Sequence, residues 1–409
     1  MPTGLSAVAE YSPLPFDGVR VVDFGRYIAG PYCAALLGDL GADVVRVEKR
    51  EGREDRTLVP LAENADGSPR EGAMFLQMNR NKRSLTCDPM NAAGREVVRR
   101  LVKSADVVVA NLPAETLKAM GLDWASVSAL NPRAILAVGT AFGLEGPYSG
   151  RVGFDGVAQA MSGATWFSGT DDQPVRCSAP YVDFGTASLL ALGVAAALRS
   201  REASGKGQMV EGALLRTALT FFSPTLIEED ALRLGRTPTL NRSQTAGPSD
   251  IFRTRDGWIT VAVNGDPLFR RVARLIGAPE WLEDARFSSD KARGDHGEVI
   301  SARVGAWVAE RTSAEAVAAF EGARVPAGPV LRPRQTLDDP HVANGDFFVD
   351  VDFPGIGAAK VAATPVKLHG TPGHVRTRPP TLGEHTDEVL RELGFSAMEI
   401  AALKQEGAV

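Results

Sequence analysis

The chain reads as an α/β protein with a large doubly wound, Rossmann-like domain and a smaller α+β domain. Three observations carry that reading. Short Val-rich runs alternate with amphipathic helical stretches through the first ~150 residues. Beyond Gly207 the alternation gives way to hairpin and helix signals. The 409 residues, 44% of them hydrophobic, suffice for more than one core.

Taken in order, "GVRVVDF" is a strand, "AGPYCAALLGDLGA" a helix ending at Gly41, and "DVVRVE" a second strand. Continuous Val suits parallel strands buried on both faces. The unit repeats with "SLTCD" as strand, "NAAGREVVRRLVKSA" as a helix with Val97, Val98, Leu101 and Val102 on one side, and "DVVVAN" as strand. "WASVSALNPR" then leads into the strand "AILAVGTAF". Later, "QMVEGALL" is a strand running into the helix "RTALTFFSPTLIEEDALRL". "SDIFRTRDGWITVAV" is a hairpin turning at Asp256-Gly257. Helices follow at "PLFRRVARLIG", "GEVISARVGAWVAE" and "SAEAVAAFEGA", then a Pro-rich crossing segment, "VPAGPVLRPRQTLDDP". The tail, from "HTDEVLRELGF" to "MEIAALKQEG", is helical and is expected to return to the first domain. The expected division is 1–220 for the N-terminal part of the large domain, 221–330 for the small one, and 331–409 for linker and return.

Composition narrows the function. A net charge of -5 leaves no electrostatic footprint for nucleic acid or an acidic membrane. Cys33, Cys87 and Cys177 are too few and too scattered for a disulfide framework or a zinc site, which fits a reducing cytoplasm and no metal. "MPTGLSAVAEYSPLPFDG" reads as a loose leader without signal-peptide character. The most apolar helix candidate, Ala187 to Leu198, falls short of the roughly 20 residues of a membrane span. A soluble cytoplasmic protein is expected.

Asp183 stands out in "VRCSAPYVDFGTASLLALGVAAAL", where an extended stretch turns through small residues into a helix. It reads either as a helix-start carboxylate stabilised by the dipole or as a group at the lip of a cleft. Glu48, at the end of the second strand, invites a nicotinamide-cofactor reading, but "DFGRYIAGPY" lacks the G-x-G-x-x-G spacing. Lys49, Arg50, Arg53 and Arg56 follow it, and "NRNKRSL" at 79–85 is a second basic run. Both suit the phosphates of a nucleotide such as coenzyme A, or equally a solvated surface of mixed charge. All five histidines lie beyond residue 295, so no Ser-His-Asp or Cys-His constellation forms around Asp183. Carboxylates remain, and a carboxylate can attack an activated acyl group.

At this point the chain resembles the class III coenzyme A transferases, the group of formyl-CoA transferase and the carnitine CoA-transferases, with the related α-methylacyl-CoA racemases. The resemblance runs through "GVRVVDFGRYIAGPYCAALLGDLGADVVRVEKREGREDR", "NRNKRSL", "LKAMGLDW" to "NPRAILAVGTAFGLEGPYSG", "GFDGVAQAMSGATWFSGTDDQPVRCSAPYVDFGTAS", "GKGQMVEGALLRTA", "RDGWITVAV" and "LGEHTDEVLRELG". It implies a large domain built from both chain ends and two subunits interlinked like rings in a homodimer. It places the nucleophile on Asp183 and coenzyme A contacts on Ile28, Ala29, Arg50, Cys87, Asp88, Asn111 and Leu112. The implied reaction moves coenzyme A from an acyl-CoA to a free carboxylic acid, with no permanently bound cofactor.

Departures refine this. Ile28 replaces a glutamine of formyl-CoA transferase, whose glycine-rich loop has no counterpart between Asn241 and Ile251, and Met90 replaces a common basic residue. The racemase alternative needs a histidine in "GHD", and this chain has Phe154 there; Asp266, near a racemase glutamate, reads as a structural or rim residue. Backbone N–H groups of Gly185 to Ala187 are the expected oxyanion donors.

Overall fold

The computed structural model describes residues 13–68 and 70–409, so most of the expected leader lies outside the described residues. Strands β1 (Arg20–Asp23), β2 (Asp43–Glu48), β3 (Lys82–Thr86), β4 (Val107–Ala110), β5 (Ile135–Thr140) and β6 (Met209–Ala213) form one sheet in the order β3-β2-β1-β4-β5-β6. Every pairing is parallel. Val21, Val22 and Val107 to Val109 are fully buried, the physical reason these strands read as unbroken apolar runs. The order reverses between β1 and β4, and at such a point a crevice opens beyond the C-terminal strand ends.

Helices cover both faces. Ala29–Asp39 follows β1, and Ala92–Ser104 is capped by Asn91, whose side chain accepts the Ala93 N–H at 2.9 Å. The latter buries Val97, Val98, Leu101 and Val102, the stripe its sequence spacing demands. The longest helix, Tyr181–Ser204, has 24 residues and ends at Gly205 with φ 71. Its length corrects the short span expected from sequence, because Gly185, Ser188 and Gly193 are absorbed rather than acting as stops. With a mean hydropathy of 1.6 it is long and apolar enough for a membrane span by those criteria alone. Ala187, Leu190, Val194 and Ala197 pack into a core with Val21, Cys33 and Val109, while Leu189 and Leu192 are exposed.

The chain divides into two compact units. One consists of Met1–Ser162, Cys177–Pro224 and Gly345–Val409, and the other of Gly163–Arg176 and Thr225–Asn344. In the second, β7 (Ser249–Arg253), β8 (Trp258–Ala262) and β9 (Ala327–Pro329) form an antiparallel sheet around a core that includes Phe252, Ile259, Phe269 and Phe320. Thus the Pro-rich segment holds a strand, β9, and a short helix, Pro333–Asp338, rather than only a crossing. A hairpin of β10 (Phe348–Phe353) and β11 (Gly357–Ala362) in the first unit buries Val351, Phe353 and Val361 against Phe75 and Leu76. Its alternation and Pro354-Gly355 turn are visible in the sequence.

Strand β3 begins two residues before the expected "SLTCD", and Cys87 and Asp88 lie just beyond it. Charge disguised its start. Lys82, fully buried, donates to Asp23 Oδ2 at 2.7 Å, to Pro31 O at 2.8 Å and to Asn79 Oδ1 at 3.1 Å. Burial lowers its ammonium to about 8 against the opposing pull of Asp23.

Candidate active site

All the strand ends that matter share one edge. Ile28 and Ala29 follow β1, Arg50 follows β2, Cys87 and Asp88 follow β3, and Asn111 and Leu112 follow β4. The loop after β1 is fixed at the switch point by Asn111. Its Oδ1 accepts the Arg26 N–H at 2.6 Å while its Nδ2 donates to Arg26 O at 2.8 Å. Gly30 permits this approach: a Cβ there would stand 3.0 Å from Asn111 Oδ1 and from Gly25 Cα. Tyr27, with φ 59, is held in its left-handed backbone by its N–H to Asp55 Oδ2 at 3.1 Å and its hydroxyl to Glu54 Oε1 at 3.0 Å.

Ile28, Ala29, Cys87 and Leu112 are buried, so a ligand on this edge would meet their backbone rather than their side chains. Arg50 is exposed, close to Gly407 of the C-terminal tail. Asp88 donates its N–H to Ala408 O at 2.8 Å, which ties the same tail to the end of β3. The Cys87 thiol is pushed up to about 12 by burial, with Asp88 adding to it, and is no nucleophile. The residues named for coenzyme A therefore fall in two groups, Ile28, Ala29, Asn111 and Leu112 at the switch point and Arg50, Cys87 and Asp88 beside the tail.

Much of the basic sequence is neither surface nor free. Arg80 is fully buried and bidentate to Asp39, at 3.1 and 2.7 Å. Arg56 is bidentate to Glu48 through Nε and Nη2, each at 2.8 Å, and Arg46 pairs with Asp55 at 2.8 Å. Burial pushes the Glu48 carboxyl up, but Arg46 and Arg56 outweigh it and hold it at about 2. Both readings of the two basic runs fail for Arg56 and Arg80, because a buried charge needs an internal partner. Arg46 and Arg56 brace the loops after β1 and β2, and Arg80 ties the end of the helix Ala29–Asp39.

Asp183 occupies the first turn of Tyr181–Ser204, adjoining the switch point: Val182 and Ala29 share a small apolar cluster with Ala158, Leu214 and Ala218. The first four N–H groups of that helix are all engaged. Tyr181 donates to Ala179 O at 2.9 Å and Phe184 to Pro180 O at 3.2 Å. Val182 and Asp183 both donate to Asp155 Oδ2, at 2.8 and 3.0 Å. Gly185 to Ala187 lie inside the helical ladder, so they are not the oxyanion donors expected from sequence.

Asp155 is itself buried and held. Gln159 Nε2 donates to its Oδ1, and Gln159 Oε1 accepts the Cys177 N–H at 3.0 Å. One side chain thereby clamps the capping acid and the irregular segment leading to the helix. Sequence reasoning missed both residues; the signal was the acid in "GFDGVAQ", four residues before a glutamine on one helix face. No hydrogen bond or ion pair among the described residues engages the Asp183 carboxylate. Burial, and behind it the charge of Asp155, raises that carboxyl to about 7. Phe154 is exposed and meets the Tyr27 ring edge-on at 5.4 Å between centroids.

An acid raised by burial beside a second acid, at the crevice edge of a doubly wound sheet, is suited to covalent or proton-transfer chemistry. A family model described as CoA-transferase family III matches residues 16–386. A succinyl-CoA–D-citramalate CoA-transferase of Chloroflexus aurantiacus is 32% identical over 405 residues, covering 98% of this chain and 100% of that protein. A succinate–glutarate CoA-transferase of Agrobacterium fabrum is 33% identical over 386 residues, covering 93% and 96%. The crystal structure of a CaiB/BaiF family protein from Brucella suis superposes with a TM-score of 0.79 at 31% identity, covering 93% of this chain and 100% of that one. A match that spans nearly every element described above, in sequence and in fold, settles the family: the chain belongs to CoA-transferase family III and is an enzyme that transfers coenzyme A.

Proposed function

We propose that the enzyme moves coenzyme A from an acyl-CoA to a free carboxylic acid through a covalent aspartyl-CoA thioester on Asp183. The observation that carries this reading is a carboxylate free of internal partners on a helix turn whose backbone Asp155 holds rigid. Asp183 attacks the donor thioester carbonyl, the C–S bond breaks, and CoA thiolate leaves a mixed anhydride. The thiolate attacks the aspartyl carbonyl and expels the donor acid as its carboxylate. The acceptor carboxylate then attacks the aspartyl-CoA carbonyl and releases the thiolate, which finally attacks the acceptor's acyl carbon and regenerates Asp183. No proton need be stored, and thioester energy is conserved while water is excluded.

Phe154 stands where a racemase carries its histidine, and a hydrocarbon ring moves no proton, which favours transfer over racemisation. The names of the relatives support a short dicarboxylyl-CoA such as succinyl-CoA as donor. The resemblance supports an interlinked homodimer of twice 43.4 kDa, measurable by light scattering. The decisive experiment is mass spectrometry after incubation with succinyl-CoA. A CoA adduct on the peptide containing Asp183 is expected, and its absence with several donors, together with no hydroxylamine-sensitive inactivation, refutes the covalent route.

A further inference from the structure

Arg53 is a cation that the surrounding ion network leaves over. The neighbouring charges are matched: Arg46 with Glu48 and Asp55, Arg56 with Glu48 and Glu71, Lys82 with Asp23, and Arg26 with Glu54. Arg53 takes part in none of the described ion pairs. Among the described residues its guanidinium makes one hydrogen bond, from Nη1 to Phe24 O at a long 3.4 Å. Its Nε is buried without a partner, and so is the Nε of Arg26. Burial first, then the positive charges of Arg46 and Arg26, depress the Arg53 guanidinium, and the nearby carboxylates of Asp55 and Glu48 only partly compensate. Asp55 Oδ1 is likewise unpartnered, but it stands outside ion-pair distance of Arg53.

A half-buried guanidinium in that position is costly unless an anion completes it. Its location is specific. Through Phe24 O, Arg53 reaches from the loop after β2 to the end of β1, where Asn111 pins Arg26 and the sheet order reverses. Planar guanidinium forks match carboxylate and phosphate oxygens.

We infer that Arg53, seconded by Arg26, forms an oxyanion-binding subsite for the acyl-CoA substrate, taking either the ω-carboxylate of a dicarboxylyl group or a phosphate of coenzyme A. This rests on the CoA-transfer reading of the same crevice. Loss of such a charge-assisted contact weakens binding about 10- to 100-fold.

The test compares the wild type with Arg53→Met and Arg53→Lys, using succinyl-CoA, butyryl-CoA and free CoA. If the ω-carboxylate is the ligand, Arg53→Met raises KM for succinyl-CoA but not butyryl-CoA and leaves the Kd of CoA unchanged. If a phosphate is the ligand, the Kd of CoA and both KM values rise together. In either case Arg53→Lys, which keeps charge without the fork, recovers part of the loss. Wild-type binding of all three that both variants retain within about twofold overturns the subsite. A second readout needs no turnover: at matched ionic strength, sulfate in place of chloride should raise the wild-type Tm more than that of Arg53→Lys, and equal shifts overturn the inference. A wild type that binds no acyl-CoA at all refutes the transferase reading instead, a result distinct from binding that ignores Arg53.

Discussion

Asp155 and Asp183 are joined through the backbone and opposed through their charges. Asp155 Oδ2 accepts the N–H of Asp183 at 3.0 Å, while the Asp155 carboxylate repels the Asp183 side chain. The same group thus fixes the position of the candidate nucleophile and raises its basicity. A more basic carboxylate is a better nucleophile once ionised, and the rigid first turn keeps it from relaxing toward solvent.

Replacing Asp183 with Asn or Ala should abolish CoA transfer and leave the fold intact, because its carboxylate makes no internal contact. Circular dichroism superimposable on wild type, with turnover reduced by several orders of magnitude, is the expected pair of results. Retained turnover would assign the chemistry elsewhere.

A carboxyl at about 7 makes activity depend on pH: kcat/KM for the acyl-CoA should climb from pH 6 to pH 8 as free Asp183 ionises. Stability runs the other way. A raised carboxyl pKa contributes stability that is full below its unfolded value of about 4 and lost as pH rises through about 7. Asp183→Asn should therefore melt higher than wild type at pH 8, and the advantage should vanish near pH 4. Thermal melts across that window check the sign.

Asp155→Asn keeps an acceptor for Val182 and Asp183 but removes the charge, so the rise in kcat/KM should move to lower pH. Asp155→Ala strips the cap and should cost about 1–2 kcal/mol as well as activity. Gln159→Leu strands the buried Asp155 Oδ1 and removes the acceptor of the Cys177 N–H, with a loss of about 1–3 kcal/mol. Denaturant melts beside pH–rate profiles separate the structural share from the electrostatic one.

Lys82→Ala should destabilise the large unit by about 3–5 kcal/mol, since it leaves Asp23 buried and unpaired. The double variant Lys82→Met, Asp23→Leu should recover much of that loss. Urea midpoints of the two variants decide whether the pair serves stability or merely tolerates burial.

The parallel strands, the helix stripe of Val97, Val98, Leu101 and Val102, and the turn at Asp256-Gly257 were all legible from sequence, because local periodicity and turn chemistry dictate them. Asp183 was legible as a candidate for a different reason, the order of motifs around it. Strand β3 was shifted by two residues because Lys82 and Arg83 read as part of a basic run, yet Lys82 points into a buried polar site. Periodicity records which face of an element is apolar, and it cannot tell a charge facing water from a charge facing a buried partner.

By itself, then, the sequence determined the doubly wound domain, the hairpin of the smaller one and the acid at the head of an apolar helix. The partners were decided only by tertiary structure. Asp155 lies 28 residues from Asp183, Asp39 lies 41 from Arg80, and Asn111 lies 85 from Arg26. Hydrogen bonds and burial across such separations follow from how the sheet brings its strand ends together. The setting of Asp183 as a candidate nucleophile, and what Arg53 lacks as a cation, follow from that convergence and from no local pattern.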